Sequence, residues 1–178
     1  MKIKFLVVGP LLTNCYLVIS RGELLIIDPG GGIKKILREI SQLKAKPKYI
    51  INTHFHWDHT FGNKIIKKLT GAKILIHEAE KDFIKFEADQ FLKEGEEIKI
   101  GDSILKVLPT PGHTKGSICL LGENFIFSGD TLFKDGHGRT DLPGGSQKDL
   151  EKSLEKLKKI LKPGVTVYPG HGEIFKMK

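Results

Sequence analysis

The sequence predicts an α/β fold built in layers, and three observations carry that reading. Short apolar runs with strand character alternate with segments of helical period. Each half of the chain reads as strands, then a helix, then a strand. Four of the apolar runs end in turns that carry His or Asp, side chains able to ligate a metal. Two such halves packed face to face would gather these residues at one edge of the sheets.

In chain order, residues 2–8, 14–20 and 23–28 predict three strands with tight connections, the first interrupted at Gly9-Pro10. Ile33, Ile36, Leu37, Ile40 and Leu43 recur at helical spacing, so 32–44 predicts an amphipathic helix. Residues 48–53 predict a strand, and 62–70 a helix that closes at Gly71. A strand over 73–77 and a short helix near 78–84 follow, while 85–97 shows no clear period. The second half predicts strands at 97–100, 103–108, 116–121 and 124–128. Residues 129–146 are a long Gly-rich loop, and loops of that length in compact domains are usually functional. Leu150, Leu154, Leu157 and Leu161 mark a second amphipathic helix, with Ser146 as its N-cap. Pro163-Gly164 ends it, and 165–168 predicts the last strand.

The densest chemistry is His54-Phe55-His56-Trp57-Asp58-His59, directly after the apolar run Tyr49–Thr53. In extended backbone, residues at i and i+2 point to the same side, so His54 and His56 can grip one ion. Asp58 and His59 are offset from that pair and can reach a second ion nearby. The pattern recurs. His113 sits in Pro109-Thr110-Pro111-Gly112-His113-Thr114, Asp130 in Ser128-Gly129-Asp130-Thr131, and His171 in Tyr168-Pro169-Gly170-His171-Gly172. Imidazole and carboxylate ligands suit zinc, iron and manganese alike.

Composition bounds the function. A chain of 178 residues suits a single domain, 1–178. No signal peptide and no apolar stretch of membrane-spanning length are visible. Cys15 and Cys119 lie in apolar runs and read as buried thiols, which suits a cytoplasmic protein. The net charge of +8 invites a nucleic-acid partner, but 26 of the 29 basic residues are Lys, interleaved with Glu. Phosphate and base recognition favours Arg forks, and interleaved Lys and Glu mark a solvated surface. Neither nucleic acid nor a membrane is expected as a partner.

The order HxHxDH, PGHT, SGD, PGHG resembles the metallo-β-lactamase superfamily, and more narrowly the short glyoxalase II-like thioester hydrolases. The resemblance runs from Thr13-Asn14-Cys15-Tyr16-Leu17 and Ile27-Asp28-Pro29-Gly30 through Gly138–Gly145 to His171. It implies a four-layer αβ/βα sandwich with the metal site at one edge. It implies two divalent ions, zinc first among the candidates, with His54, His56 and His113 on one. Asp58, His59 and His171 would hold the other, and Asp130 would bridge them. It further implies a small-molecule thioester, such as a hydroxyacylglutathione, as substrate. Two ions sharing a water generate hydroxide near neutral pH, with Asp58 both ligating and orienting the nucleophile. A thioester suits this chemistry because a thiol of pKa about 8.5 leaves without obligatory protonation.

Other readings stay open at this stage. Persulfide dioxygenases share the scaffold and a Gly-Arg-Thr-Asp segment, but use one iron, on positions matching His54, His113 and Asp130. An ester or lactone hydrolase and a metal-binding protein without catalysis rank lower. A β-lactamase is disfavoured by Asp130 and His59, and a tRNA-processing nuclease by the short, Arg-poor chain. Arg139, His137 and Tyr168 are candidate substrate contacts, with Asp141 as a possible ion-pair partner of Arg139. Lys115 and Lys134 are candidates for an anionic thiol carrier. Asp28 is weighed between a turn former and an acceptor behind a ligating His. Tyr16 is weighed between core packing and a substrate contact. Ser128 and Thr131 are expected to support Asp130, Trp57 to pack beneath the metal loop, and His77 to be structural.

Overall fold

Two six-stranded sheets lie face to face in the computed structural model, which describes Met1–Lys178. The first contains β1 (Lys2–Val8), β2 (Thr13–Ser20), β3 (Glu23–Ile27), β4 (Lys46–Ile51), β5 (Lys73–His77) and β6 (Gln90–Leu92), in that order. The second contains β7 (Glu97–Ile100), β8 (Ser103–Pro109), β9 (Ile118–Leu121), β10 (Phe125–Gly129), β11 (Thr166–Pro169) and β12 (Phe175–Lys176), also in sequence order. Helices α1 (Ile33–Gln42), α2 (Trp57–Thr60) and α3 (Asn63–Thr70) belong to the first half, and α4 (Gln147–Ile160) to the second. A 3-10 turn, Glu78–Glu80, follows β5.

Strand alternation builds the layers. Leu25 and Ile27 of β3 point into the inter-sheet core, where they meet Val107, Ile118, Leu120 and Phe127 of the other sheet. Leu24 and Ile26 point the opposite way, onto Ile36 and Ile40 of α1 and Ile66 of α3. In the second sheet Cys119 and Ile126 face outward onto Leu157 and Leu161, at the end of α4. The result is helix, sheet, sheet, helix, as expected of the sandwich. Phe127 is fully buried at its centre, and truncating it to Ala would cost about 3–5 kcal/mol.

Crossovers bring the ligand-bearing loops to one end. β3, β4, β5 and β6 pair in parallel, as do β10 and β11. A parallel pair repeats its carboxyl end on the same edge.

Several boundaries differ from expectation. The strand before the HxHxDH motif stops at Ile51; Asn52 N still donates to the Leu75 carbonyl, and from there side chains join the pairing. The Asn52 amide donates to the His59 carbonyl, and Thr53 N–H donates to Asp28 Oδ1. The unexpected helix α2 then carries Asp58, His59 and Thr60 inward. That turn leaves Trp57 55% exposed, so it does not pack beneath the metal loop. The segment near 78–84 is a single 3-10 turn, and the unassigned stretch 85–97 contains β6. Ser146 caps α4 as expected, its hydroxyl accepting from Asp149 N, and Gly71 ends α3 in a left-handed conformation.

Candidate metal centre

The loops after β4, β8, β10 and β11 bring all seven candidate ligands together. The ligand atoms of His54, His56 and His113 all lie within 4.8 Å of one another, as do those of Asp58, His59 and His171. In the first group His113 Nε2 is 2.9 Å from His56 Nδ1, and the His54 ring stands edge-on to both partners. The motif runs through a bend instead of the expected extended strand, yet His54 and His56 still converge, with ring centroids 4.7 Å apart. In the second group His59 Nε2 lies 3.2 Å from His171 Nε2. Asp58 Oδ2 is 3.4 Å from the former and 3.3 Å from the latter.

Asp130 touches both groups. Its Oδ1 is 3.5 Å from His59 Nε2, and its Oδ2 is 3.6 Å from His113 Nε2 and 3.5 Å from His171 Nε2. Gly170 makes this approach possible. A Cβ there would fall 2.1 Å from Asp130 Oδ1 and 2.9 Å from His59 Cε1.

The far nitrogen of most rings is spoken for. His113 Nδ1 lies 2.6 Å from the Arg139 carbonyl, and His171 Nδ1 lies 3.0 Å from the Leu11 carbonyl. A carbonyl only accepts, so each Nδ1 carries the proton and each Nε2 presents a lone pair inward. His59 Nδ1 faces a carboxylate instead, in a charge contact 3.0 Å from Asp28 Oδ2. A carboxylate behind an imidazole fixes its orientation and raises its basicity as a ligand. Asp28 is therefore the acceptor behind a candidate ligand, held at a left-handed φ of 51° and further paired with Thr53 N and Oγ1.

Three buried atoms, His54 Nε2, His59 Nδ1 and Asp130 Oδ1, have no hydrogen-bond partner; Asp28 faces His59 Nδ1 as a charge contact, and the other two open on the centre. Buried polar atoms are rarely left so, and a cation between the rings would satisfy both. The imidazole and carboxylate donors fit a divalent metal ion on this evidence.

Charge divides the two groups. Burial, reinforced by neighbouring imidazoles, holds His54 well below its ordinary pKa and His56 down at about 4. Burial also works to lower His59, but Asp130, Asp28 and Asp58 outweigh it and raise that imidazole to about 9. Burial would raise the Asp58 carboxyl; contacts with His171, His59 and Thr13 hold it well below the usual carboxylate range.

Supporting contacts missing from the sequence reading are now visible. Thr13 Oγ1 donates to Asp58 Oδ2 at 3.0 Å. Asn14 Nδ2 donates to the carbonyls of Pro169 and Gly172, so it fastens the His171 loop. Thr131 and Thr110 hydroxyls meet at 2.8 Å and tie the Asp130 loop to the His113 loop, and Ser128 Oγ donates to the Leu132 carbonyl. Ser128 and Thr131 thus brace the Asp130 loop through its backbone and neighbours. Glu80, wholly buried, accepts from both the His54–His56 loop and the His113 loop. The Thr13–Asn14 segment was marked by resemblance alone; Glu80 gave no sequence signal.

The candidate substrate contacts are placed less centrally. The Arg139 guanidinium pairs with Asp141, both exposed, while its carbonyl serves His113. His137 is exposed, with Nδ1 3.0 Å from the Gly138 carbonyl. Tyr168 packs against Tyr16, Phe125 and Phe127 on the inter-sheet core, and the Tyr16 hydroxyl donates to the Pro169 carbonyl. Both tyrosines are therefore packing residues in this structure. Lys134 pairs with Glu173, Lys115 is exposed, and His77 Nδ1 accepts from Ala79 N to start the 3-10 turn. Beside His171 opens a cavity of about 410 Å³, lined also by Phe133, Lys134, Asp135 and Glu173.

Known proteins match this architecture. The family model of the metallo-beta-lactamase superfamily matches residues 8–171. A Bacillus subtilis protein, "Probable polyketide biosynthesis zinc-dependent hydrolase PksB", is 33% identical over 162 residues, covering 88% of this chain and 72% of its own. The crystal structure of "BLEG-1 B3 metallo-beta-lactamase" superposes with a TM-score of 0.92 at 28% identity, covering 98% of this chain and 94% of that one. The structure of "TTHA1623 in a di-iron-bound form" gives 0.88 at 28% identity, covering 97% and 94%. With the αβ/βα layers and the converging His and Asp side chains, these matches establish that the chain belongs to the metallo-β-lactamase superfamily and is a metal-dependent hydrolase of that fold.

Proposed function

We infer that the chain is a binuclear metal-dependent thioesterase of the glyoxalase II type, cleaving a hydroxyacyl thioester. The observation that carries this reading is Asp130, whose two oxygens face the two ligand groups at once. Two divalent ions bound there would lower the pKa of a shared water and polarise the substrate carbonyl. His54, His56 and His113 would hold one ion, and Asp58, His59 and His171 the other. Zinc is the metal we assign, in keeping with the name of the Bacillus subtilis relative.

The chain's own residues prepare the reaction. Asp58 Oδ2 faces the second group and is steadied by the Thr13 hydroxyl, so one carboxylate serves both ligation and the placing of the attacking water. Asp28 holds the His59 ring with Nε2 facing inward, ready to ligate once its proton is lost. The cavity beside His171 is where the substrate's arm enters, over the Phe133 ring. A thiolate leaving group asks least of this arrangement, because it departs without a proton from the protein. Cys15 and Cys119 are buried and free, in keeping with a reducing, cytoplasmic setting.

The test is a substrate panel on zinc-loaded protein: hydroxyacyl thioesters, a β-lactam, a simple lactone, and a persulfide with oxygen uptake followed. Thioester turnover well above the rest supports the reading. Oxygen uptake with persulfide on a single bound iron would replace it with the dioxygenase reading. β-Lactam turnover that exceeds thioester turnover would place the chain functionally beside its B3 neighbour.

A further inference from the structure

Glu80 is a wholly buried carboxylate outside the ligand set. It closes the 3-10 turn after β5. Its Oε2 accepts from Phe55 N at 3.0 Å, and Phe55 separates His54 from His56. Its Oε1 accepts from Thr114 Oγ1 at 2.7 Å and from Gly116 N, both in the loop that carries His113. The loop is shaped around it, since a Cβ on Gly116 would fall 2.5 Å from Glu80 Cγ. One turn on, Phe83 stacks on Phe55 with ring centroids 5.0 Å apart. One carboxylate thus staples together the two loops that supply the three imidazoles of the first group.

Stapling both loops takes both carboxylate oxygens. A buried anion is costly unless it is paired, and Glu80 makes no ion pair with Lys, Arg or His. An amide has one acceptor oxygen, so a Gln here could accept from one loop only and would turn its NH2 on the donor of the other. The first group, however, consists of imidazoles only, with Asp130 shared between the groups, whereas the second has Asp58 of its own and Asp28 behind His59. Asp130 is therefore the one carboxylate at the first group, and the two loops that Glu80 joins carry the imidazoles that must meet it there.

We propose that Glu80 is a positioning residue for the ion at His54, His56 and His113, setting the spacing of those ligands by holding their two loops together. The proposal rests on the metal reading above. It predicts a selective effect: replacing the carboxylate weakens the first ion by about 10–100-fold, the usual consequence of losing a group that supports metal ligands. The second ion should change little. A Glu80 that only held the fold together would weaken both ions alike.

The experiment titrates Co2+ into the metal-free protein against a competing chelator, reading the visible absorption of each bound ion. Wild type, Glu80→Gln, Glu80→Asp, Thr114→Val and His56→Ala are compared, and the step lost in His56→Ala identifies the first ion. In Glu80→Gln that same step should weaken selectively. Glu80→Asp, which keeps both acceptor oxygens, should recover part of the loss. Thr114→Val, which removes one donor and leaves the carboxylate, should shift the same step by less, and it keeps the question answerable if Glu80→Gln does not fold. Equal weakening of both steps, or an unmoved first step in the variants that fold, overturns the proposal. If wild type binds one ion only, the binuclear reading falls separately. Glu80 is then judged on that ion, which must weaken in Glu80→Gln or Thr114→Val for the proposal to survive.

Discussion

Asp28→Asn is the most incisive change to the second ligand group, because it alters one atom and leaves the shape. The Asp28 carboxylate is 1% exposed. Its Oδ1 accepts from Thr53 N at 2.8 Å, and its Oδ2 accepts from Thr53 Oγ1 at 2.7 Å and faces His59 Nδ1 at 3.0 Å. An amide offers one acceptor oxygen and one NH2. If the NH2 takes the Oδ2 position, it confronts the His59 Nδ1 proton; if it takes the Oδ1 position, it confronts the Thr53 backbone N–H. A buried donor left without its acceptor costs about 1–3 kcal/mol. About 1.4 kcal/mol is a factor of ten, so the second ion should bind about 10–100-fold more weakly, the range seen when the partner of a metal-bound imidazole is lost. The first ion is reached only indirectly, through the Thr53 hydroxyl that lies 3.1 Å from His54 Nδ1, and should weaken less than the second. Competition of Zn2+ against a chelator measures both. Unchanged affinity for the second ion in a folded variant would refute the argument that Asp28 orients His59.

Four further outcomes are expected. Asp58→Asn should keep the fold but lose most thioester turnover at matched metal content, since an amide coordinates more weakly; near-wild-type turnover removes Asp58 from its role. Gly170→Ala should weaken both ions, because its Cβ would meet Asp130 Oδ1 at 2.1 Å, and metal analysis after dialysis would show it; full retention of two ions contradicts the packing argument. Arg139→Ala removes an exposed ion pair but leaves the carbonyl that His113 uses. Metal content should hold while relative rates on different thioesters shift, and unchanged relative rates would make the 129–146 loop a connector only. In the metal-free chain His59 is protonated up to about pH 9, so loading must expel that proton. Affinity for the second ion should therefore fall as pH drops below about 9, with about one proton released per ion in calorimetry across buffers; no release would contradict the raised imidazole.

What was legible in the sequence follows from the range of each signal. Leu24 to Ile27 face two cores in alternation, so all four are apolar, and it is that unbroken run that marked the strand. The seven candidate ligands stood out because each group of them follows directly on an apolar run. The three-residue β6, the two-residue β12 and the four-residue α2 are too short to display a period, and missing α2 is what misplaced Trp57. Glu80 was invisible because an acid in a Lys- and Glu-rich chain reads as surface; only the packing of three loops reveals it as buried. Arg139 drew attention for its guanidinium, whereas the site uses its carbonyl, a group every residue carries. Asp28 could be weighed only evenly between turn and support, because its partner His59 is 31 positions away and reached through β4.

The most direct test of the account is anomalous scattering from crystals of the fully zinc-loaded protein, recorded on both sides of the zinc edge. Two zinc peaks should flank Asp130, one among His54, His56 and His113, the other among Asp58, His59 and His171. A single fully occupied peak, with the Asp58, His59 and His171 group intact and empty, would contradict the binuclear centre on which the proposed hydrolysis depends.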